Sequence, residues 1–457
     1  MPPQPISPLD GRYRSTVEPL GEHLSEAGLN RARVHVEVEW LLFLTDHRLF
    51  GTEPVDAESA RALRTWAAGF GQEEIDELAA LEATTRHDVK AIEYLVRRKL
   101  ADLGLAALAE LTHFACTSED INNLSYALTI RAAVQDVWLP RLRDVLAALR
   151  ERAEEGRAVP MLSRTHGQPA TPTTIGKEFA VFVARAERVL ARIEAVQPLG
   201  KFSGATGTFA AHLAADPGAD WPALSREFVT GLGLTWNPLT TQIESHDWQA
   251  ELFTAISHLN RILHNVCTDV WTYISLGYLT QVPQPGATGS STMPHKINPI
   301  RFENAEANLE LSSALLESLA ATLVTSRLQR DLTDSTTQRN IGVALGHSLL
   351  ALDNLAKGLG EIAIAPDVLA ADLDANWEVL GEAIQTVIRA EVTAGRSSIA
   401  DPYALLKELT RGKRVGAEEL RAFVEGLDIG DAAKQRLLQL TPATYVGIAD
   451  RLVDYLD

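Results

Sequence analysis

Cysteine is nearly absent: 457 residues hold two, Cys116 and Cys267. That is too few for a disulfide framework, and Cys267 falls inside an apolar helical run, so both are expected as reduced thiols. Aromatic residues are also scarce, at 6% of a chain that is 46% apolar. The core is left to Ala, Leu, Val and Ile, the usual make-up of packed helices. No run of about 18 apolar residues occurs, so no membrane span is expected. The opening MPPQPISPLDGRY has no basic segment leading into an apolar one; no secretory leader is expected, and the cytoplasm is the expected compartment. Basic residues are outnumbered, for a net charge of −18. That balance excludes a general nucleic-acid or membrane-surface binder, which needs a basic footprint, but not an anionic small molecule held by a local basic cluster. Strand patterns are few, and solenoid repeats and low-complexity linkers are missing.

What the chain does have is helical periodicity. Ile175, Phe179, Phe182, Ala186, Val189, Ile193 and Val196 alternate spacings of four and three. Leu252, Ile256, Leu259, Leu263, Val266, Val270 and Tyr273 do the same, the mark of bundle seams. Similar stripes over Ile121–Leu149, Leu309–Leu323 and Ile341–Leu359 bring the long segments to five, and one elongated five-helix bundle is expected. The pattern predicts an all-α protein of three helical domains: residues 1–106, a central bundle over 107–363, and 364–457. Within the first, Val34–Leu44 reads as an amphipathic helix, and Glu73–Leu100 as helix broken near Thr84. Leu199–Phe209, with three glycines, reads as a hairpin or irregular loop. Its Gly204-x-x-Gly207 spacing lacks the preceding strand that a dinucleotide-binding turn requires. Between Leu252 and Leu276 the seam is widened by Phe253, Ile262, Cys267, Trp271 and Ile274, an arc broader than one bundle needs, which points to a symmetric oligomer.

The densest chemistry lies in residues 286–301, GATGSSTMPHKINPIR. Gly286 and Gly289 let the backbone bend, Pro294 and Pro299 stiffen it, and Lys296 adds a fixed charge beside paired hydroxyls and backbone amides. Such a loop suits an anion that forms during a reaction, and it also suits a serine activated as its alkoxide. The string resembles the G-S-S-x-M-P-x-K-x-N-P loop of the fumarase and aspartase superfamily, whose members eliminate fumarate from succinyl-type substrates. Further blocks run in the same order over almost the whole chain: SPLDGRYR, TTRHDVKAIEY, FACTSEDINN, SRTHGQPATPTTIGKE, WNPLTTQIESHD and SRLQRDLTDSTTQRNIG. The DGRY start and the QRDLTDS block are similar to the bacterial branch of the adenylosuccinate lyase family.

That resemblance implies β-elimination of fumarate from adenylosuccinate, giving AMP, and from succinyl-aminoimidazole carboxamide ribotide (SAICAR), giving AICAR, without a cofactor. It implies Ser290 as general base and His166 as general acid, with Ser291, Lys296 and Asn298 on the carboxylate that gains charge. Thr117 and Ser118 would grip the second carboxylate. Arg12, Arg330 and Arg339 would hold phosphate, helped by Tyr13 and Ser335. His87, between Arg86 and Asp88, would orient substrate, and Gln242 and Asn304 would contact it. Glu303 would either orient the base or only favour the helix dipole. The resemblance also implies a homotetramer whose bundles form a shared core and whose sites draw on several subunits. Two other readings stand beside this one: another fumarate-releasing lyase, such as argininosuccinate lyase or fumarase, and an inactive helical scaffold. No metal is expected, since His264 and Cys267 lack further ligands at a recognisable spacing. The RGKR run at residues 411–414 reads as a solvated face.

Overall fold

The computed structural model describes residues 5–283, 293, 296–410 and 415–456. Among these, helices carry nearly all the regular structure, and the fold is all-α. Each expected long segment is helical. Ser118–Ala132 continues through a π-helical turn, Ala133–Trp138, into Leu139–Glu155. The others are Ile175–Ala195, Asp247–Ser275, Ile300–Leu323 and Ile341–Gly360. The expected break near Thr84 falls between Gln72–Thr85 and Asp88–Asp102. Among the described residues no helix is long and apolar enough to cross a membrane.

Among the described residues, six short strands form three pairs. β1 (Pro160–Thr165) and β2 (Gln168–Thr174) are antiparallel, β3 (Leu199–Gly200) and β4 (Thr235–Trp236) parallel, and β5 (Leu279–Gln281) and β6 (Ile362–Ile364) antiparallel. Leu199–Phe209 is therefore not a hairpin; only its first two residues pair, and with a distant segment. β1 and β2 form a hairpin with His166 at its turn. Pro169 and Pro172 hide it in the sequence, because a proline donates nothing to a ladder and reads as a strand breaker.

The chain divides into two compact units, one made of residues 1–143, 189–261 and 307–353, the other of 144–188, 262–306 and 354–457. In the first, the helix Glu26–Asp46 is not amphipathic as expected. Val34, Val36, Glu37, Val38, Trp40, Leu41, Leu42 and Leu44 are all buried, so it is enclosed on nearly every side. Trp40 packs on Phe202 and Phe228 at ring separations of 4.3 and 5.0 Å. A buried polar ladder then ties the long helices together. The Trp138 indole donates to Ser348 (2.9 Å), Ser348 to Asn260 (3.0 Å), Asn260 to Ser312 (3.0 Å), and Ser312 to the Ala344 carbonyl (2.8 Å). Each buried polar group finds a partner there, which keeps the network from costing the few kcal/mol that an orphan would.

In the second unit, two glycines let backbones touch where the hairpin begins and ends. A Cβ at Gly176 would lie 2.2 Å from the Ala153 carbonyl oxygen, and one at Gly156 would lie 2.6 Å from the Ile175 side chain. The Gly176 N–H donates to the Gly156 carbonyl at 3.0 Å, closing the base of the loop that carries β1 and β2. The last hundred residues build their own core from Trp377, Leu380, Ile384, Ile388, Leu420, Val424 and Leu437. The broad arc on Asp247–Ser275 is largely covered within the chain, contrary to expectation: Phe253, Ile262 and Cys267 are buried, and Trp271 and Leu276 stay exposed.

Candidate active site

The first unit brings many of the candidate residues together, starting at the helix Ser118–Ala132. Thr117 caps it, and Asp120 reaches back so that its Oδ2 accepts the Thr117 N–H at 2.8 Å, as the T-S-E-D order favours. Asp120 is wholly buried and does more. It accepts the N–H groups of Ser203 (2.8 Å) and Gly204 (3.1 Å), and pairs with the equally buried Lys201 at 2.8 Å. Lys201 also donates to the Gly204 carbonyl at 3.0 Å, and Asn123 holds both backbone groups of Lys201. Upstream of Thr117 the backbone is strained, with His113 at φ +56° and Ala115 at φ +55°. Left-handed conformations cost non-glycine residues roughly 1–2 kcal/mol each. The buried Glu37 carboxylate offsets this by taking the His113 N–H (2.9 Å) and ring Nδ1 (2.6 Å), while the Trp40 indole donates to the Phe114 carbonyl at 3.0 Å. Burial works to lower the His113 pKa, but the Glu37 hydrogen bond and charge win and raise it. The half-buried Thr117 and Ser118 are thus presented by a braced turn.

Arg330 stands beside this turn. It donates to Gln242 at 3.3 Å, pairs with the buried Glu119 at 2.9 Å and lies 3.8 Å from Asp334. Gln242 donates in turn to the Ala205 carbonyl at 3.1 Å, and the Ser335 N–H donates to Asp334 at 2.6 Å. Burial raises the Glu119 pKa against the pull of Arg330. A second group joins Asp88, 3.0 Å from the buried Arg33 and 3.2 Å from Arg339, which also reaches Glu26 at 2.7 Å. Burial pushes the Asp88 carboxyl up, but the guanidinium of Arg33, a backbone hydrogen bond and Arg339 together hold it below the usual range. His87 caps the helix Asp88–Asp102, its Nδ1 accepting the Lys90 N–H at 3.2 Å. That bond makes Nδ1 the unprotonated nitrogen of the neutral ring and leaves the proton on Nε2. Arg86 is exposed at φ +52°. Arg12 is exposed with its guanidinium 5.8 Å from the Tyr13 ring centre, and Arg339 borders a cleft of about 460 Å³ shared with Asp10, Arg14 and Ser25.

The second unit holds the remaining candidates. His166 and Gly167 form the two-residue turn between β1 and β2, at φ +53° and +74°, and both are exposed. Two positive φ values are what a tight hairpin requires, so the histidine is pushed out at the tip. Lys296 is exposed and its N–H donates to the Met293 carbonyl at 3.0 Å; the Asn298 carbonyl accepts the Ile300 N–H at 2.8 Å. Gln281, at the end of β5, donates to the Ile297 carbonyl at 2.5 Å. Asn304 is half-buried in the first turns of Ile300–Leu323, and the neighbouring Glu303 accepts the Trp271 indole N–H at 3.2 Å. Ser290, Ser291 and the RGKR run lie outside the described residues.

Several supporting residues escaped the sequence reading: Arg33, Glu37, His113, Glu119, Lys201 and Arg164. Glu37, in VHVEVEW, signals itself as a charge in an apolar setting, but periodicity cannot say which distant partner neutralises it. Among the described residues no cluster of metal-ligating side chains occurs. His264 lies 3.5 Å from Glu306, and Cys267 is buried, its thiol pKa raised by that burial.

The helical fold is shared with solved enzymes. A fumarate lyase from Mesorhizobium sp. BNC1 superposes with a TM-score of 0.76 at 20% identity, over 96% of this chain and 97% of that one. The 3-carboxy-cis,cis-muconate lactonizing enzyme from Pseudomonas putida gives 0.74 at 21%, over 96% of each. A lyase family profile matches residues 11–311, so the class is that of the helical lyases of the fumarase and aspartase superfamily. An adenylosuccinate lyase C-terminal profile matches residues 326–446. Adenylosuccinate lyase of Escherichia coli strain K12 is 49% identical over 453 residues, 99% of this chain and 98% of the relative. Those of Vibrio cholerae and Haemophilus influenzae are 48% and 47% identical, over 99% of this chain and 98% of each relative. The chain belongs to the adenylosuccinate lyase family.

Proposed function

We propose that this chain cleaves adenylosuccinate to AMP and fumarate, and SAICAR to AICAR and fumarate. The observation that carries the reading is near-half identity, over 99% of the chain, to relatives named for the first of these reactions. Ser290, as its alkoxide, takes a proton from the carbon beside one carboxylate. The C–H electron pair becomes the new C=C bond, the C–N pair leaves with the ring-bound nitrogen, and His166 gives that nitrogen a proton. Charge builds on the carboxylate next to the deprotonated carbon, where Ser291, Lys296 and Asn298 offer donors. Thr117 and Ser118 take the other carboxylate, Gln242 and Asn304 contact the substrate, and Arg86, His87 and Asp88 orient it. Arg12, Arg330 and Arg339, with Tyr13 and Ser335, take the phosphate through paired N–H donors. No cofactor enters these steps.

The working form is a cytoplasmic homotetramer of three-domain subunits, divided at residues 106 and 363, with sites shared between chains. Arg12, His87, Thr117, Gln242 and Arg330 belong to one compact unit, and His166 and Lys296 to the other. Ultraviolet-monitored turnover of adenylosuccinate tests the activity directly: the substituted-purine absorbance falls as the C–N bond breaks. A purified protein that released fumarate from argininosuccinate or malate, but not from adenylosuccinate, would overturn the reading.

A further inference from the structure

The β1–β2 hairpin has to hold His166 in a left-handed turn at an exposed tip, and its own two-strand ladder is a weak support. Three anchors within the second unit supply the rest. The ladder register shifts between Met161 and Ser163, and both Leu162 and Arg164 reach outside the two strands. Leu162 packs with Leu373 and Val379 in a small buried cluster. Arg164 places Nη2 2.6 Å from Asp372 Oδ2, on the helix Pro366–Asp374, and 3.3 Å from the Tyr278 hydroxyl. Tyr278 donates its hydroxyl proton to the same Asp372 oxygen, and the Asn376 amide reaches Oδ1 at 3.3 Å. Burial and then the Asp372 carboxylate raise the Tyr278 pKa, keeping the phenol as donor. On β2, the Thr171 hydroxyl donates to Glu382, which also accepts the Tyr445 hydroxyl at 3.3 Å.

We propose that Asp372 is a positioning residue for His166: through Arg164 and Tyr278 it sets where the hairpin tip stands, and so where the acid's proton is delivered. The inference rests on the reading of His166 as the acid. Its reach extends further along the chain. Tyr278 directly precedes β5, the strand that leads toward the segment bearing Ser290, and β5 pairs with β6, which leads into the helix carrying Asp372. One carboxylate therefore ties the hairpin of the acid to the approach strand of the base. A displacement of about 1 Å at a reacting group can cost on the order of a hundredfold in rate, whereas substrate affinity is set elsewhere.

The test is a double-mutant cycle in the full-length enzyme, with single-turnover rates read at excess enzyme. Asp372→Ala is expected to lower kcat by about ten- to a hundredfold with KM for adenylosuccinate within about twofold, and Asp372→Asn, which keeps an acceptor, by less. In a His166→Ala background the same Asp372→Ala change is expected to cost less than about twofold, because the group it positions is gone. Equal losses in both backgrounds, an unchanged kcat, or a loss confined to KM would overturn the inference while leaving His166 as the acid. Near-normal turnover by His166→Ala alone would overturn the reading beneath it, and the inference with it. Should Asp372→Ala fail to fold, Tyr278→Phe removes one donor from the same carboxylate and carries the same cycle.

Discussion

Lys201 places its ammonium 2.8 Å from a carboxylate oxygen of Asp120, and neither side chain has any exposure to solvent. Around this pair converge the N–H groups of Thr117, Ser203 and Gly204 and the carbonyl of Gly204. Removing one member of a buried pair strands the other charge, at a cost of about 3–5 kcal/mol. Lys201→Met is therefore expected to lower the denaturation midpoint sharply, and adding Asp120→Asn to recover part of the loss. Urea unfolding of the parent and the two variants checks this; a cost below about 1 kcal/mol for Lys201→Met would mean the carboxylate is satisfied by backbone donors alone.

Ser290→Ala and His166→Ala are each expected to lower turnover by at least about a hundredfold, the low end for a positioned proton-transfer group, with substrate binding affected less. Steady-state kinetics alongside size determination decide it. Near-normal turnover at unchanged assembly removes the residue from its role.

Lys296→Met and Arg330→Ala are expected to fail in different ways. If the lysine faces charge that develops during the reaction, kcat should fall, whereas loss of a phosphate-holding arginine should chiefly raise KM. Arg330→Ala also strands the buried Glu119 carboxylate, 2.9 Å from the missing guanidinium. Adding Glu119→Gln should restore thermal stability without restoring KM. A Lys296→Met enzyme with only a raised KM would be a ground-state binding variant.

His212 is buried against Phe209 and Trp221, and both ring nitrogens lack hydrogen-bond partners. Burial lowers its pKa below the ordinary 6.5. The unfolded chain therefore takes up the proton first, so stability from this residue is complete above pH 6.5 and is lost as pH falls from there toward the lowered value. His212→Phe should flatten the acid side of the stability profile by up to about 1.4 kcal/mol per pH unit. Chemical denaturation from pH 7.5 to 5 reads the slope; identical slopes in parent and variant would mean the ring finds a partner when protonated.

If sites are shared between subunits, dissociating and reassembling a mixture of inactive His166→Ala and Ser290→Ala proteins should restore activity in some sites. Mass-confirmed mixed tetramers as inactive as their parents would count against sharing, and a monomer in solution against the tetramer itself.

The long helices were readable from spacing alone, because a seam repeating every three to four residues has no other way to bury itself. The blocks around His87, His166 and Arg330 stood out through the family resemblance they carry, since a lone histidine or arginine declares no role by its type. What periodicity concealed was the setting of each group. The hairpin under His166 is disguised by its prolines, and the enclosure of Val34–Leu44 depends on neighbours contributed by distant segments. Asp120 and Lys201 are 81 positions apart, and Asp372 and Arg164 are 208. A charge in the sequence announces only that burial would be costly. Which opposite charge meets it depends on how the helices pack, and that placement holds Thr117 and Ser118 in their turn and the His166 tip on its hairpin.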